Sequence, residues 1–238
     1  MAADAERART EPVAVVTGAS RGIGAATVRR LAAHGFRVIA AARSAADLER
    51  LAAEDARIVA VAADVGVTDH IARLGAAADA VGRLAVWVNN AATLERVPFG
   101  ELDEQRWRDI LRVDLDAVFL GCRAAYGRMA ASGGGVIVNM ASLSGVQNVE
   151  KFPGLTAYNV AKAGVIALSE AVALEGRPHG VRCVCLSPGA VETAMLHQAN
   201  PELRALVTPD DVAAIITWLT TPQAAPLSGS NIPLFTNA

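Results

Sequence analysis

At 238 residues and 53% hydrophobic content, the chain is long enough for one large α/β domain with a substantial core. Its 22 basic residues nearly balance 24 acidic ones, which excludes bulk polyanion binding and makes nucleic acid an unexpected partner. Cys122, Cys183 and Cys185 form neither an even disulfide framework nor a C-x-x-C pair, and His34, His70, His179 and His197 lack ligand spacing, so no metal site is expected.

Residues 1–11 are Ala-rich with mixed charges and read as a flexible N-terminal tail rather than a signal peptide. From residue 12 to 238, short Val/Ile-rich runs alternate with Ala-rich amphipathic stretches without a domain-separating linker, which predicts a single domain. Strands are expected at Val13–Thr17, Arg37–Ala41, Ile58–Ala62, Ala85–Asn89, Val136–Met140, Val181–Ser187 and Asn231–Leu234. Helices are expected at Ile23–His34, Ala45–Asp55, Thr68–Val81, Asp103–Met129, Ala157–Glu175 and Thr208–Leu219. The Asp103–Met129 segment is long for one helix and has a candidate joint at Arg112–Asp116. Continuous apolar strands joined by crossover helices require a sheet covered on both faces, hence a three-layer, doubly wound, Rossmann-like α/β fold with a parallel seven-stranded sheet. No segment offers the ~18 uninterrupted apolar residues of a membrane helix. No membrane association and a cytoplasmic setting are therefore expected.

Between the first strand and the first helix lies Thr17-Gly18-Ala19-Ser20-Arg21-Gly22-Ile23-Gly24. Glycines there permit a tight turn and close backbone approach, and the amides and dipole of a helix start favour a pyrophosphate. The absence of a Gly-Lys-Ser/Thr ending excludes a kinase-type P-loop. An acid after the second strand would bond the ribose hydroxyls of NAD, whereas an arginine accommodates the phosphate of NADP. That strand ends Ala40-Ala41-Ala42-Arg43-Ser44, and Arg21 adds a second charge. NADP(H) is the preferred cofactor, with NAD(H) as the alternative.

Farther along, Tyr158-Asn159-Val160-Ala161-Lys162 stacks a phenol and an ammonium on one helix face. A nearby cation stabilises phenolate and draws the phenol from ~10 toward a useful proton-transfer range.

Taken in order, Thr17-Gly-x-x-x-Gly-Ile-Gly24, Asn89-Asn90-Ala91-Ala92, Ser142, Tyr158-x-x-x-Lys162 and Pro188-Gly189 make the chain resemble the short-chain dehydrogenase/reductase family over nearly its full length. The resemblance implies cofactor contacts from Gly18, Ser20, Arg21, Gly22, Ile23 and Gly24, from Arg43 and Ser44, and from Asp64 and Val65 at the adenine. It further implies contacts from Asn90 and Ala91, from Tyr158 and Lys162, and from Pro188, Gly189, Val191 and Thr193 around the nicotinamide, with Asn89 steadying the central strand. Hydride addition to a carbonyl builds charge on oxygen, which calls for a hydrogen-bond donor and a proton source. Ser142 and Tyr158 are expected in those roles, with Ser144 a competing donor, and Lys162 is expected to lower the phenol's pKa and hold the ribose.

Asp114 stands where the family usually has asparagine; its main-chain carbonyl is a candidate support for a proton-relaying water, and its charge a modifier of rate or pH profile. The Ser142–Tyr158 segment is longer than usual, placing Gln147–Pro153 at the expected pocket wall. Thr208-Pro209-Asp210-Asp211 is a helix entrance that leaves only Ala194–Val207 as a short lid. Met195, Leu196 and His197 either line the pocket or pack the lid. The implied function is NADP(H)-dependent hydride transfer on a ketone, 3-oxoacyl compound or secondary alcohol. A dinucleotide-binding sensor or scaffold is the alternative. Small residues on the two long helices, together with the resemblance, imply a homodimer or homotetramer.

Overall fold

The computed structural model describes residues 11–199 and 202–236. Strands β1 (Pro12–Thr17), β2 (Arg37–Ala42), β3 (Ile58–Ala62), β4 (Arg83–Asn89), β5 (Gly135–Met140), β6 (Val181–Pro188) and β7 (Asn231–Leu234) form one sheet ordered β3-β2-β1-β4-β5-β6-β7. Every pairing is parallel. Alternation along the strands sends successive side chains to opposite faces. On one face Val16, Val38, Val88 and Val138 pack under α1 (Gly22–Ala33), α2 (Ala45–Ala52) and α8 (Pro209–Leu219) through Leu31, Leu48 and Ile216. On the other, Val15, Ile39, Trp87 and Ile137 meet α3 (Thr68–Val81), α5 (Ala117–Ala131) and α6 (Thr156–Gly176) through Leu74, Met129 and Val165. The expected three-layer, doubly wound fold is present.

The long helix predicted from Asp103 is α4 (Glu104–Leu111) running into α5 through a single π turn, Arg112–Asp116. The candidate joint is therefore a bulge and not a break. Such bulges push one side chain out of the regular helical row and recur at functional sites. The second predicted helix stops at Ala52 rather than Asp55. A short helix unforeseen in the sequence, α7 (Ala194–Ala199), occupies the lid. The expected tail lies outside the described residues except for Glu11, whose carbonyl accepts from the Arg83 amide and whose carboxylate is 3.9 Å from Arg37. By length and composition α6, extended to His179, would suit a membrane crossing, but it packs across β6 and carries the buried Tyr158 and Lys162.

Between the sheet and the α5–α6 layer runs a neutral polar chain. Trp87 Nε1 donates to Asn89 Oδ1 (2.7 Å), Asn89 Nδ2 to Asn139 Oδ1 (2.8 Å), and Asn139 Nδ2 to Ser169 Oγ (2.9 Å). Ser169 closes it on the Val165 carbonyl (2.7 Å). A methyl built on Gly121 would stand 2.2 Å from Asn89 Oδ1, so the lack of a side chain there makes room for the chain. All three cysteines are free and buried.

Candidate active site

Strand order reverses between β1 and β4, and a crevice opens at the carboxyl ends of such strands. Thr17 ends β1 there; its hydroxyl donates to the Val88 carbonyl (3.3 Å) and accepts from the amides of Asn90 (3.0 Å) and Ala91 (3.1 Å). The glycine loop follows at once. Gly18 and Gly22 adopt left-handed φ of +66° and +56°, which side chains resist. A methyl on Gly24 would lie 2.2 Å from the Gly18 carbonyl oxygen, so glycine also permits the loop's closest internal contact. Asn90 spends its side-chain amide on the carbonyls of Thr17 (2.9 Å) and Gly18 (3.2 Å), bracing the loop from beneath.

The start of α1 differs from those of α2, α4 and α8, whose first turns are capped by Ser44, Asp103 and Thr208. Its cap residue is Arg21, with no side-chain cap and no acid in the first turn. That leaves the Ile23 and Gly24 amides without a competing internal anion. Across from it, a methyl on Gly22 would come 3.5 Å from Thr193 Cγ2, so Thr193 overhangs the loop. At the end of β2, Arg43 and Ser44 are exposed, and neither Arg43 nor Arg21 makes an ion pair among the described residues. Asp64 follows β3; its Oδ1 accepts from the Gly66 amide (2.9 Å), and its own amide donates to His70 Nδ1 (2.9 Å). Val65 and Val191 are buried, and Ile23 packs against the core. Pro188 ends β6, and the Gly189 amide pairs with the Leu234 carbonyl (3.0 Å).

The second cluster forms where β5 ends against α6. Ser142 extends from the strand and accepts from the Ser144 amide (3.2 Å), starting a short 3-10 turn, Leu143–Gly145. A methyl on Gly145 would meet the Lys162 carbonyl carbon at 2.5 Å and the Ala163 nitrogen at 2.6 Å. Only glycine lets this turn lie against α6, which sets Ser142 opposite Tyr158. Lys162 donates to the Met140 carbonyl (3.2 Å), and its ammonium sits 5.4 Å from the Tyr158 ring centroid. From the π turn, Asp114 approaches Lys162 Nζ at 3.1 Å through Oδ1, and its Oδ2 accepts from the Thr93 amide (3.2 Å). Oδ1 has no aligned hydrogen-bond donor, so this contact is a charge pair. Lys162 and Asp114 are 2% and 0% exposed, which keeps water from screening them.

The electrostatics depart from the expectation of a lowered phenol pKa. Burial pushes the Tyr158 phenol above its ordinary value; Lys162 pulls down, Asp114 pushes up again, and Ser142 pulls down weakly. Lys162 therefore acts in the expected sense but is outweighed. Burial also raises the Asp114 carboxyl, against the pull of Lys162 and the Thr93 amide. For Lys162, burial acts downward, but Asp114 and Tyr158 together raise it.

The lid is held by Glu192. Its amide donates to the Val207 carbonyl (2.9 Å), Oε2 accepts from the Ala205 amide (3.0 Å), and Oε1 lies 2.5 Å from His197 Nε2. Of the two readings left open for His197, lid packing is the one this bonding fits. The Gln147–Pro153 stretch is pinned by Lys151 Nζ on the Val146 carbonyl (2.5 Å) and exposes Phe152. Thr93, Gly145 and Glu192 were not anticipated. Gly145 had a visible signal, a glycine between Ser142 and Tyr158.

Residues 12–204 match the family described as short chain dehydrogenase. The chain belongs to that family. A 3beta-hydroxysteroid dehydrogenase 1 of Eggerthella lenta is 35% identical to this dehydrogenase over 92% of its chain and 90% of the relative. Among solved structures, a 3-ketoacyl-(acyl-carrier-protein) reductase from Brucella melitensis complexed with NADH superposes with TM-score 0.83 at 28% identity, covering 94% of this chain and 96% of that one. Another Brucella melitensis structure, described as a ribose-5-phosphate isomerase, gives TM-score 0.87 at 34% identity over 95% and 91%. This dehydrogenase is an oxidoreductase of CH–OH and C=O groups that uses a nicotinamide dinucleotide.

Proposed function

We propose that the enzyme is an NADP(H)-dependent carbonyl reductase or alcohol dehydrogenase, with a ketone, 3-oxoacyl compound or secondary alcohol as substrate and Tyr158 as general acid/base. The observation that carries this reading is the meeting of Ser142, Tyr158 and Lys162 beyond the end of β5, in the same sheet whose β1 leads into the glycine loop. The uncapped start of α1, with no acid in its first turn, fits a pyrophosphate; Gly18, Ser20, Gly22, Ile23 and Gly24 would hold it. Exposed Arg21 and Arg43, neither in an ion pair among the described residues, with no acid at Ala42, support a 2′-phosphate and hence NADP(H). Asp64 and Val65 would flank the adenine, and Asn90, Ala91, Pro188, Gly189, Val191 and Thr193 the remainder of the groove. When bound, the cofactor supplies or accepts the hydride.

In this reading Ser142 donates to the substrate oxygen and stabilises the charge that develops on it. Tyr158 gives up its hydroxyl proton to that oxygen during reduction and recovers one during oxidation. Lys162 orients the ribose and stabilises the transient phenolate. One sheet carries both clusters, which supports a single domain over 12–238. The buried free thiols suit a reducing, cytoplasmic setting. Exposed Phe119 (48%), Val160 (45%) and Leu174 (67%) on α5 and α6 support pairing into a homodimer or homotetramer, which light scattering across concentrations tests.

A panel of ketones, 3-oxoacyl thioesters and secondary alcohols with both coenzymes tests the assignment. The expected result is NADPH oxidation on at least one carbonyl, with Tyr158→Phe reducing kcat by about 10²- to 10⁴-fold while cofactor affinity holds. Cofactor binding without turnover across the panel would instead favour a sensor, the reading that buried Asp114 beside Lys162 motivates.

A further inference from the structure

Tyr158 has one ammonium nearby, and that ammonium already has a carboxylate against it. The π turn brings Asp114 into the interior, 3.1 Å from Lys162 Nζ and bonded through its other oxygen to the Thr93 amide. Whether the proton is carried by the Lys162 nitrogen or by the Asp114 carboxyl, the pair sums to zero charge. A neutral side chain at 114 would leave a lone cation facing the phenol, and a cation at this range favours phenolate by about one to three pH units. Among the described residues, the other groups around Lys162 and Tyr158 carry no compensating charge. β6 brings the Cys185 thiol, which burial pushes up to about 11, and the end of β5 brings the neutral Ser142 hydroxyl. Asp114 is thus the group that decides how much positive charge Tyr158 experiences.

We propose that Asp114 is a positioning residue that cancels the Lys162 charge and so opposes ionisation of Tyr158, favouring carbonyl reduction and moving alcohol oxidation toward more alkaline conditions. The direction of chemistry rests on the proposed role of Tyr158 as proton donor; the effect on its ionisation does not. In the reductive step the Tyr158 O–H bond breaks and a substrate O–H bond forms as the carbonyl carbon accepts the hydride. Oxidation needs the reverse, and so needs phenolate.

The chain has only two tyrosines, Tyr126 and Tyr158, which makes the phenol directly observable. In a Tyr126→Phe background, ultraviolet titration of phenolate absorbance reports Tyr158 alone without requiring turnover. The expected midpoint lies above the ordinary tyrosine value of ~10, and Asp114→Asn moves it down by about one pH unit or more. Adding Lys162→Met to Asp114→Asn abolishes that drop. In parallel, the ascending limb of kcat/KM for alcohol oxidation moves to lower pH in Asp114→Asn, which loss of packing alone would not produce. If Asp114→Asn does not fold, Asp114→Ser carries the same expectation, and a Tyr158 midpoint near neutrality in the Tyr126→Phe protein overturns the proposal with no change at 114. An unmoved midpoint in a soluble Asp114→Asn protein also overturns it. A shifted midpoint in a protein that turns over no carbonyl keeps Asp114's role and removes the proposed reaction.

Discussion

Two polar assemblies are buried between the sheet and the α5–α6 layer, and they are built on opposite principles. The Trp87–Asn89–Asn139–Ser169 chain is neutral and linked by hydrogen bonds of 2.7–2.9 Å that end on a helix carbonyl. The Asp114–Lys162–Tyr158 cluster is ionic, and one carboxylate oxygen has no aligned donor. A satisfied network holds one packing arrangement, while a charged and partly satisfied one stays sensitive to whatever enters beside it. Burial of polar groups therefore does not mark a site by itself; what separates the two assemblies is unspent hydrogen-bonding capacity and charge.

The sharpest way to break this contrast is Lys162→Met, which strands Asp114. A loss of about 3 kcal/mol or more is expected in urea unfolding, along with turnover, and adding Asp114→Asn should restore the stability but not the activity. If the double variant were as unstable as the single one, the charge pair would not be the cause.

Next, Asn139→Ala leaves the Asn89 amide and the Ser169 hydroxyl short of a partner. A loss of about 2–3 kcal/mol is expected from the unfolding midpoint, with the pH dependence of turnover unchanged. A shifted pH profile would join the two assemblies into one.

Gly145→Ala tests the seam between strand and helix. Its added methyl meets α6 backbone, so about 1–3 kcal/mol of strain is expected, with kcat falling more than cofactor affinity because Ser142 moves relative to Tyr158.

The seven strands and the six long helices were legible because continuous apolar runs and amphipathic stretches state their own period, and Thr208-Pro209-Asp210-Asp211 announces α8 by capping chemistry. The glycine loop was legible because its neighbours in sequence are its neighbours in space. Other features depend on distant pairs. Asp114 and Lys162 are brought together by a π turn that no periodicity encodes, and the upward shift of Tyr158 follows from burial, which composition does not report. The role of Asn90 as a brace for the loop, and of Glu192 as the anchor of the lid, likewise arise only once the backbone is folded.

The smallest effect is expected far from both assemblies. At the start of α8, Thr208 and Asp211 cap each other, so Thr208→Ala should lower stability by about 1 kcal/mol without touching turnover. The Thr208 side chain and amide hold the Asp211 carboxyl below its ordinary value. Its folded pKa is thus lower than its unfolded one, so this contribution is complete above the ordinary aspartate range and disappears as the pH falls through the depressed value. Acid unfolding of Asp211→Asn, compared with the parent, should show a smaller decline over that interval.

The three thiols, all 2% exposed or less, bear on how the molecule can be handled. With no cysteine at the surface, a maleimide or an oxidant finds nothing to modify while the chain stays folded. Covalent labelling then becomes a clock for opening: Cys122 reports separation of α5 from the sheet, and Cys183 and Cys185 report the loss of β6 itself.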